Sequence, residues 1–239
     1  MALNADGARR ESASPPRQRE AVDITGPTKP YRALRSAAHL VNRAYWRVEV
    51  QGAPSVPSSG PVIIAPVHRS FMDFFVVSEV TRRKIFYMAK DELWNVALLG
   101  RFLDSMGAFP VHREGADRLA MSHAQAVLEA GMVLVVFPEG TRRSGPVVGD
   151  LLEGAAFLSA RTGAAIVPVG IGGTEAAMPK GKKLVRPVKV KLVVGEPIVP
   201  APRPAGARVR RSELRATSDV LREDLQRLFD LARAAVGDA

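Results

Sequence analysis

Residues 61–73 read PVIIAPVHRSFMD, and this stretch decides the fold. A short apolar run that begins at a proline and ends at polar residues predicts a strand buried on both faces. From there to residue 200, apolar runs alternate with stretches of helical periodicity, which is the rhythm of an α/β domain. We therefore predict a mixed central sheet flanked by helices.

The remaining pattern places the other elements. It predicts strands over residues 62–66, 85–89, 132–137, 165–171 and 188–195, and helices over 73–81, 92–105, 116–130, 151–161 and 212–236. The last helix carries a leucine stripe that indicates core packing. The predicted organisation is a disordered leader over 1–29, a basic helical segment over 30–50, the α/β core over 51–200, and a linker with the C-terminal helix over 201–239.

Composition narrows the classes of function. The 239 residues carry a formal net charge of +10, which calls for a polyanionic partner such as nucleic acid or an anionic membrane. Aromatic residues make up only 6% of the chain and do not interleave with basic ones, which argues against nucleic acid. The absence of cysteine excludes thiol nucleophiles and favours an intracellular compartment. No apolar run approaches the ~18 residues needed to span a bilayer.

A basic amphipathic helix is predicted between Tyr31 and Val48. At about 100° per residue one face is apolar, with Leu34, Ala37, Ala38, Val41, Tyr45 and Val48, and the opposite face carries Arg32, Arg35, His39, Arg43 and Arg47. Either the helix docks on the core, or it lies in the lipid interface with its arginines on headgroup phosphates. In the second case Arg32, Arg35, Arg43 and Arg47 are the membrane-associating residues.

His68 and Asp73 are the candidate catalytic residues. In one continuous helix they would lie about 140° apart, but they can meet if His68 ends the loop after the strand and Asp73 begins the next helix. The carboxylate would then bond one imidazole nitrogen and leave the other to take a proton from a hydroxyl. No serine or cysteine with nucleophile-elbow flanks lies nearby, so direct transfer to an acceptor is favoured over a covalent intermediate.

Three further segments accompany this pair. Residues 137–143, FPEGTRR, suit a turn that holds a phosphate, and residues 107–113, GAFPVHR, end on another arginine. Residues 166–170, IVPVG, predict a buried strand whose proline shapes its edge. The four histidines have no recognisable metal-ligand spacing, and no glycine-rich nucleotide loop is present. We expect neither a bound cofactor nor a metal.

In this order and spacing the four segments resemble the signature of the glycerolipid acyltransferase family, which contains the 1-acylglycerol-3-phosphate acyltransferases, over residues 46–200. The resemblance implies that His68 is the general base and that Asp73 orients it. It implies that the acceptor's phosphate is bound, or its pocket ordered, by Arg113, Glu139, Gly140, Thr141 and Arg142. Ser70 and Pro168 would belong to the acyl or acceptor pocket.

The implied reaction moves a fatty acyl group from acyl-CoA or acyl carrier protein to the free hydroxyl of lysophosphatidic acid, giving phosphatidic acid in phospholipid biosynthesis. We expect a peripheral protein at the cytoplasmic face of the plasma membrane, with no nucleic acid partner. Glycerol 3-phosphate or another lysophospholipid is the alternative acceptor. A noncatalytic protein of membrane surfaces or nucleic acids would explain the charge, but not why His68 and Asp73 accompany the other segments.

Overall fold

The computed structural model describes residues 24–111, 117–179, 181, 184–204 and 207–238. The strands are β1 (Glu49–Gln51), β2 (Val62–Pro66), β3 (Ile85–Lys90), β4 (Ala108–Val111), β5 (Val133–Val135), β6 (Ala165–Gly172) and β7 (Lys191–Val194). The helices are α1 (Lys29–Ala44), α2 (Asp73–Val76), α3 (Ala97–Ser105), α4 (Arg118–Glu129), α5 (Gly154–Thr162), α6 (Thr174–Ala177) and α7 (Arg211–Ala234). Short 3₁₀ helices cover Ala53–Ser55, Val77–Val80 and Asp91–Asn95. Most of the predicted leader and Arg113 lie outside the described residues.

One mixed sheet organises the molecule, as the sequence predicts. Its strand order is β1-β7-β6-β2-β5-β3-β4, and all neighbours run parallel except β6 and β7. Every residue of β2 and β5 is buried, which explains their unbroken apolar sequences. The loops that leave the carboxyl ends of β2, β3, β5 and β6 therefore gather at one edge of the sheet, where ligands bind in open α/β folds.

The two faces of the sheet are covered by different helices. On β4, Ala108 lines a cavity together with residues of α2 and α3, whereas the neighbouring Phe109 turns to the other face and contacts His123 of α4. Helices α4, α5 and α7 contact one another on that second face, and α1 packs against α2 on the first. The result is a three-layer sandwich with the buried strands in the middle.

The edge strands differ from the prediction. The sequence pattern does not predict β1 or β4, because each is only three or four residues long and partly exposed. β4 also contains Pro110, which an edge strand tolerates since one side of the ladder is free. Pro168, which was expected to shape the edge of a buried strand, lies in the internal strand β6. On the β7 side of this strand, the ladder ends at Val169 and an isolated bridge follows at Ile166. Pro168 lies between these two pairings, so its missing N–H costs no regular ladder hydrogen bond.

Helix α1 docks on the core through polar residues, which corrects the predicted orientation. Arg35 was predicted to contact lipid, but its guanidinium donates to the backbone carbonyls of Ser78, Thr81 and Arg83. Asn42 is fully buried and donates to Glu79, 2.8 Å away. The predicted lipid contact is therefore wrong for Arg35.

The opposite side of α1 is open and largely apolar. Leu40 is 67% exposed and Val41 is 45% exposed, and the exposed residues Arg32 and Arg43 border them on the helix surface. The helix ends at Ala44, four residues earlier than predicted, and the chain turns through Arg47, which adopts a left-handed φ of 44°. Within the described ranges, none of the helices has the length and apolarity needed to cross a bilayer.

Helix α7 packs closely on β6 because two glycines remove the side chains between them. A Cβ atom at Gly170 would overlap the backbone C and O atoms of Leu228, and one at Gly172 would overlap the backbone of Ala232. Leu221, Leu225 and Leu228 are buried on the same helix, in keeping with the predicted stripe. The close approach fixes where α7 lies along the sheet.

Replacing Gly170 with Ala should lower the free energy of unfolding by about 1–3 kcal/mol or more, because the overlap is with backbone that cannot rotate away. Gly154→Ala is the matched control. Gly154 begins α5, and a Cβ atom there meets nothing within 4 Å. It should leave stability unchanged or raise it by about 0.4–1 kcal/mol. Urea denaturation measures both, and equal stabilities for the two variants would contradict this packing.

Candidate active site

His68 and Asp73 meet at the carboxyl end of β2, in the arrangement that their spacing predicts. His68 lies in the loop after the strand, and Asp73 is the first residue of α2. The Nδ1 atom of His68 lies 2.9 Å from the Oδ2 atom of Asp73, and the two side chains are 3% and 0% exposed. With Nδ1 donating to this carboxylate, Nε2 is the nitrogen left to accept a proton.

The Asp73 carboxylate also organises the loop between the two residues. Its Oδ2 atom accepts the backbone N–H groups of Arg69 at 2.7 Å and Ser70 at 2.8 Å, in addition to the imidazole. The His68 ring stacks on Phe137, with 4.1 Å between centroids, and meets the Phe74 ring edge-on at 5.6 Å. The imidazole is thus fixed by a hydrogen bond at one side and by two aromatic rings around it.

Glu139 lies beneath this loop and forms a buried ion pair with Arg69. The Nη1 atom of Arg69 donates to both carboxylate oxygens, at 2.9 and 2.7 Å, and both side chains are almost wholly buried. The carboxylate also accepts the backbone N–H of His68 at 3.0 Å. Glu139 was predicted to bind the acceptor's phosphate or to order its pocket. Both of its carboxylate oxygens already accept hydrogen bonds from the protein, so Glu139 suits only the ordering role.

The turn after β5 carries the other residues of the predicted phosphate set. Gly140 has a φ of 67°, a left-handed conformation that glycine adopts without strain. Thr141 is exposed, and the guanidinium of Arg142 makes no hydrogen bond or ion pair with any side chain or backbone group in the described part of the chain. The backbone N–H of Arg143 donates to the carbonyl of His68 at 2.9 Å, so the arginines lie beside the histidine. The fifth member, Arg113, lies outside the described residues.

Ser70 and Pro168 were both predicted to shape the acyl or acceptor pocket. The Ser70 hydroxyl is fully buried and donates to the carbonyl of Met178 at 2.9 Å, so it ties the catalytic loop to the residues after α6. Pro168 is buried in β6, where its ring and Leu228 flank Gly195. Neither residue lines the cavity that the structure brings to the histidine.

That cavity is apolar, and one of its lining residues, Phe74, contacts the His68 ring. It has a volume of about 100 Å³ and is lined by Phe71, Phe74, Phe75, Tyr87, Ala89, Leu93, Leu99, Phe102, Leu103, Met106 and Ala108. Phe74 joins it to the site, since its ring lies between those of His68 and Tyr87. Burial raises the pKa of the Tyr87 phenol above its usual value, so this wall stays uncharged.

Sequence reasoning missed two components of the site. Arg69 is one, because an arginine between a histidine and a serine shows no sign of burial until its partner Glu139 is known. The cavity wall is the other. The spacing of Phe71, Phe74 and Phe75 does contain a signal, since residues three and four apart share one face of a helix. Within the described ranges, no three acidic or histidine side chains converge as metal ligands would.

Comparisons with known proteins identify the family. The model of the family described as Acyltransferase matches residues 47–172. The 1-acyl-sn-glycerol-3-phosphate acyltransferase of Bacillus subtilis (strain 168) is 30% identical over 169 residues, which cover 70% of this chain and 82% of that protein. The human 1-acyl-sn-glycerol-3-phosphate acyltransferase alpha is 33% identical over 126 residues, covering 52% of this chain and 44% of that protein.

A solved structure supports the fold. The crystal structure of the 1-acyl-sn-glycerophosphate (LPA) acyltransferase from Thermotoga maritima matches with a TM-score of 0.66 and 23% identity, covering 83% of this chain and 80% of that one. At this identity the match concerns the architecture only. The shared architecture includes the mixed α/β sheet and its flanking helices.

Removing the charge of Arg69 should be strongly destabilising, because Glu139 would remain buried without a partner. Arg69→Met should lower the free energy of unfolding by about 3–5 kcal/mol. The matched control is Lys189→Met, which breaks the exposed pair with Glu49 and should cost about 1 kcal/mol or less. Urea denaturation of both variants tests the difference, and similar losses would show that the buried pair has no special role.

Proposed function

The chain belongs to the acyltransferase family, and from that premise we propose that it is a 1-acylglycerol-3-phosphate acyltransferase. In this proposal it transfers a fatty acyl group from acyl-CoA or acyl carrier protein to the free hydroxyl of lysophosphatidic acid. The observation that carries the proposal is the buried His68–Asp73 pair at the sheet edge, together with the apolar cavity that Phe74 joins to it and the arginine turn that bonds the His68 carbonyl.

The proposed reaction is a direct transfer. Nε2 of His68 takes the proton of the acceptor hydroxyl while the oxygen attacks the thioester carbonyl, so a C–O bond forms and the C–S bond breaks. The proton then passes from the imidazolium to the departing thiolate. Asp73 holds the imidazole in the required tautomer and stabilises its cationic form.

In this proposal the two substrates bind in two different regions next to His68. Arg142 and Arg143 belong to the turn whose backbone bonds the His68 carbonyl, and arginine forks match the geometry of a phosphate. The cavity lined by Phe71, Phe74 and Phe75 would take the first part of the acyl chain, since its wall is almost purely apolar. Holding both groups against Nε2 supplies much of the rate enhancement in such a reaction.

His68→Ala should reduce kcat by at least ~10²-fold through loss of the general base, and Asp73→Asn should be nearly as damaging because the imidazole loses its orientation. The assay follows thioester consumption with lysophosphatidic acid, with glycerol 3-phosphate as the competing acceptor. His123→Leu is the control, since His123 lies in α4 on the far face of the sheet. Transfer by His68→Ala at more than about a tenth of the wild-type rate would reject this assignment.

We further propose that α1 holds the protein peripherally on an anionic membrane, at the cytoplasmic face of the plasma membrane. The support is the exposed pair Leu40 and Val41, bordered by the exposed arginines Arg32 and Arg43, with Arg47 exposed in the turn that follows. An apolar helix face gains free energy in the lipid interface, and each nearby cation adds about 1 kcal/mol on an anionic surface. The polar contacts of Arg35 and Asn42 would transmit this orientation to the core.

Leu40→Gln with Val41→Gln should therefore abolish most sedimentation with anionic vesicles, and high salt should partly release the wild-type protein. The matched control is Val220→Gln with Leu231→Gln, two residues of α7 that are each 49% exposed. Arg35→Gln should instead lower the melting temperature while the folded protein still binds vesicles. Equal loss of binding by both Gln pairs would contradict a role specific to α1.

A further inference from the structure

The segment 145–149 follows Arg142 and Arg143 and is pinned to the catalytic loop. Arg69 donates from Nε to the carbonyl of Gly145 at 3.1 Å and from Nη2 to the carbonyl of Val147 at 3.0 Å. The backbone N–H of Gly149 donates to Glu139 at 3.3 Å. The buried ion pair therefore holds one side of this segment.

Gln226 of α7 holds the other side. Its Oε1 atom accepts the backbone N–H of Val148 at 2.8 Å, and its Nε2 atom donates to the carbonyl of Pro146 at 3.0 Å. An amide that both donates and accepts across a two-residue gap fixes position as well as distance. Gln226 lies well beyond residues 47–172, the part that the family model matches.

The pinned segment supports an arginine of the phosphate turn. A Cβ atom placed on Gly149 would lie 3.7 Å from Nε of Arg143, so the Arg143 side chain packs over this residue. The turn is thus closed at both ends: the N–H of Arg143 bonds the carbonyl of His68, and Gly149 returns to Glu139. Displacing residues 146–148 would therefore loosen the packing of Arg143 over Gly149 and remove one acceptor of Arg69, the carbonyl of Val147, while the contact of His68 with Asp73 would remain.

We infer that Gln226 is a positioning residue for acceptor binding, and hence that α7 is a working part of the acceptor site. The inference rests on the proposed function and adds to it. Gln226 is only partly buried, while the helix itself is anchored by Leu225, Leu228 and Phe229. Loss of the amide therefore leaves neither a buried charge nor an unanchored helix, and its effect should appear in acceptor affinity.

The test replaces Gln226 with Met, which has a similar length and helix propensity but forms neither hydrogen bond. KM for lysophosphatidic acid should rise about tenfold, the equivalent of one to two neutral hydrogen bonds. The KM for the thioester, kcat and the melting temperature should stay close to wild type. Gln226→Glu keeps an acceptor for the Val148 N–H, but it loses the donor to Pro146 and to Asp230 and places a second carboxylate beside Asp230, so its KM for lysophosphatidic acid should rise as well.

Two further variants serve as a negative and a positive control. Glu223→Met changes an exposed residue one turn earlier on α7 and should leave both KM values unchanged. Arg142→Ala should raise the acceptor KM, as expected for a residue that binds the phosphate directly. An unchanged acceptor KM in Gln226→Met, or a parallel rise in both KM values, would overturn the inference.

Hydrogen exchange separates this inference from the proposed function. The amides of residues 145 and 147–149 should exchange faster in Gln226→Met than in wild type, and glycerol 3-phosphate should slow them in wild type only. If wild type consumes no thioester with lysophosphatidic acid, the proposed function fails, and the exchange comparison alone decides the inference. Absence of protection in wild type, or equal protection in the variant, overturns it.

Discussion

The buried ion pair between Arg69 and Glu139 is the interaction on which the site depends. Two charges taken out of water are stabilising only when every hydrogen-bonding atom is satisfied. Here the guanidinium also donates to three backbone carbonyls and lies 4.7 Å from the centroid of the Phe229 ring, and the carboxylate also accepts two backbone N–H groups. The pair thereby joins the loop of His68, the arginine turn and helix α7, which are far apart in sequence.

The sequence could predict those elements whose pattern involves only residues close together in the chain. The bounds of β2 match the prediction because an unbroken apolar run is typical of a strand that is buried on both faces in the middle of a sheet. The contact of His68 with Asp73 could also be predicted, since a separation of five residues suits a loop followed by the start of a helix. The pairing of Arg69 with Glu139 could not be predicted from the sequence. Seventy positions separate them, and a charged residue read alone is expected at the surface.

Helix α1 shows a second limit of sequence patterns. Periodicity separates two faces of a helix, but it does not say which face the core will accept. The usual assumption sends the apolar face inward. The 3₁₀ segment Val77–Val80 and the turn after it present free carbonyl groups, and Arg35 satisfies three carbonyls of this region at once. Because an unsatisfied buried carbonyl is costly, these contacts outweigh the burial of one leucine and one valine.

His68 lies between surroundings of two different polarities. Phe74 and Phe137 surround the ring, and Phe74 also lines the apolar cavity. The backbone carbonyl and N–H of His68 are instead bound by the polar turn, through Arg143 and Glu139. The histidine therefore stands at the boundary between an apolar and a cationic region. A reaction there favours substrates that carry an acyl chain at one end and an anionic group at the other. Such molecules partition to the lipid interface, and under the proposed membrane role the exposed face of α1 would hold the protein there.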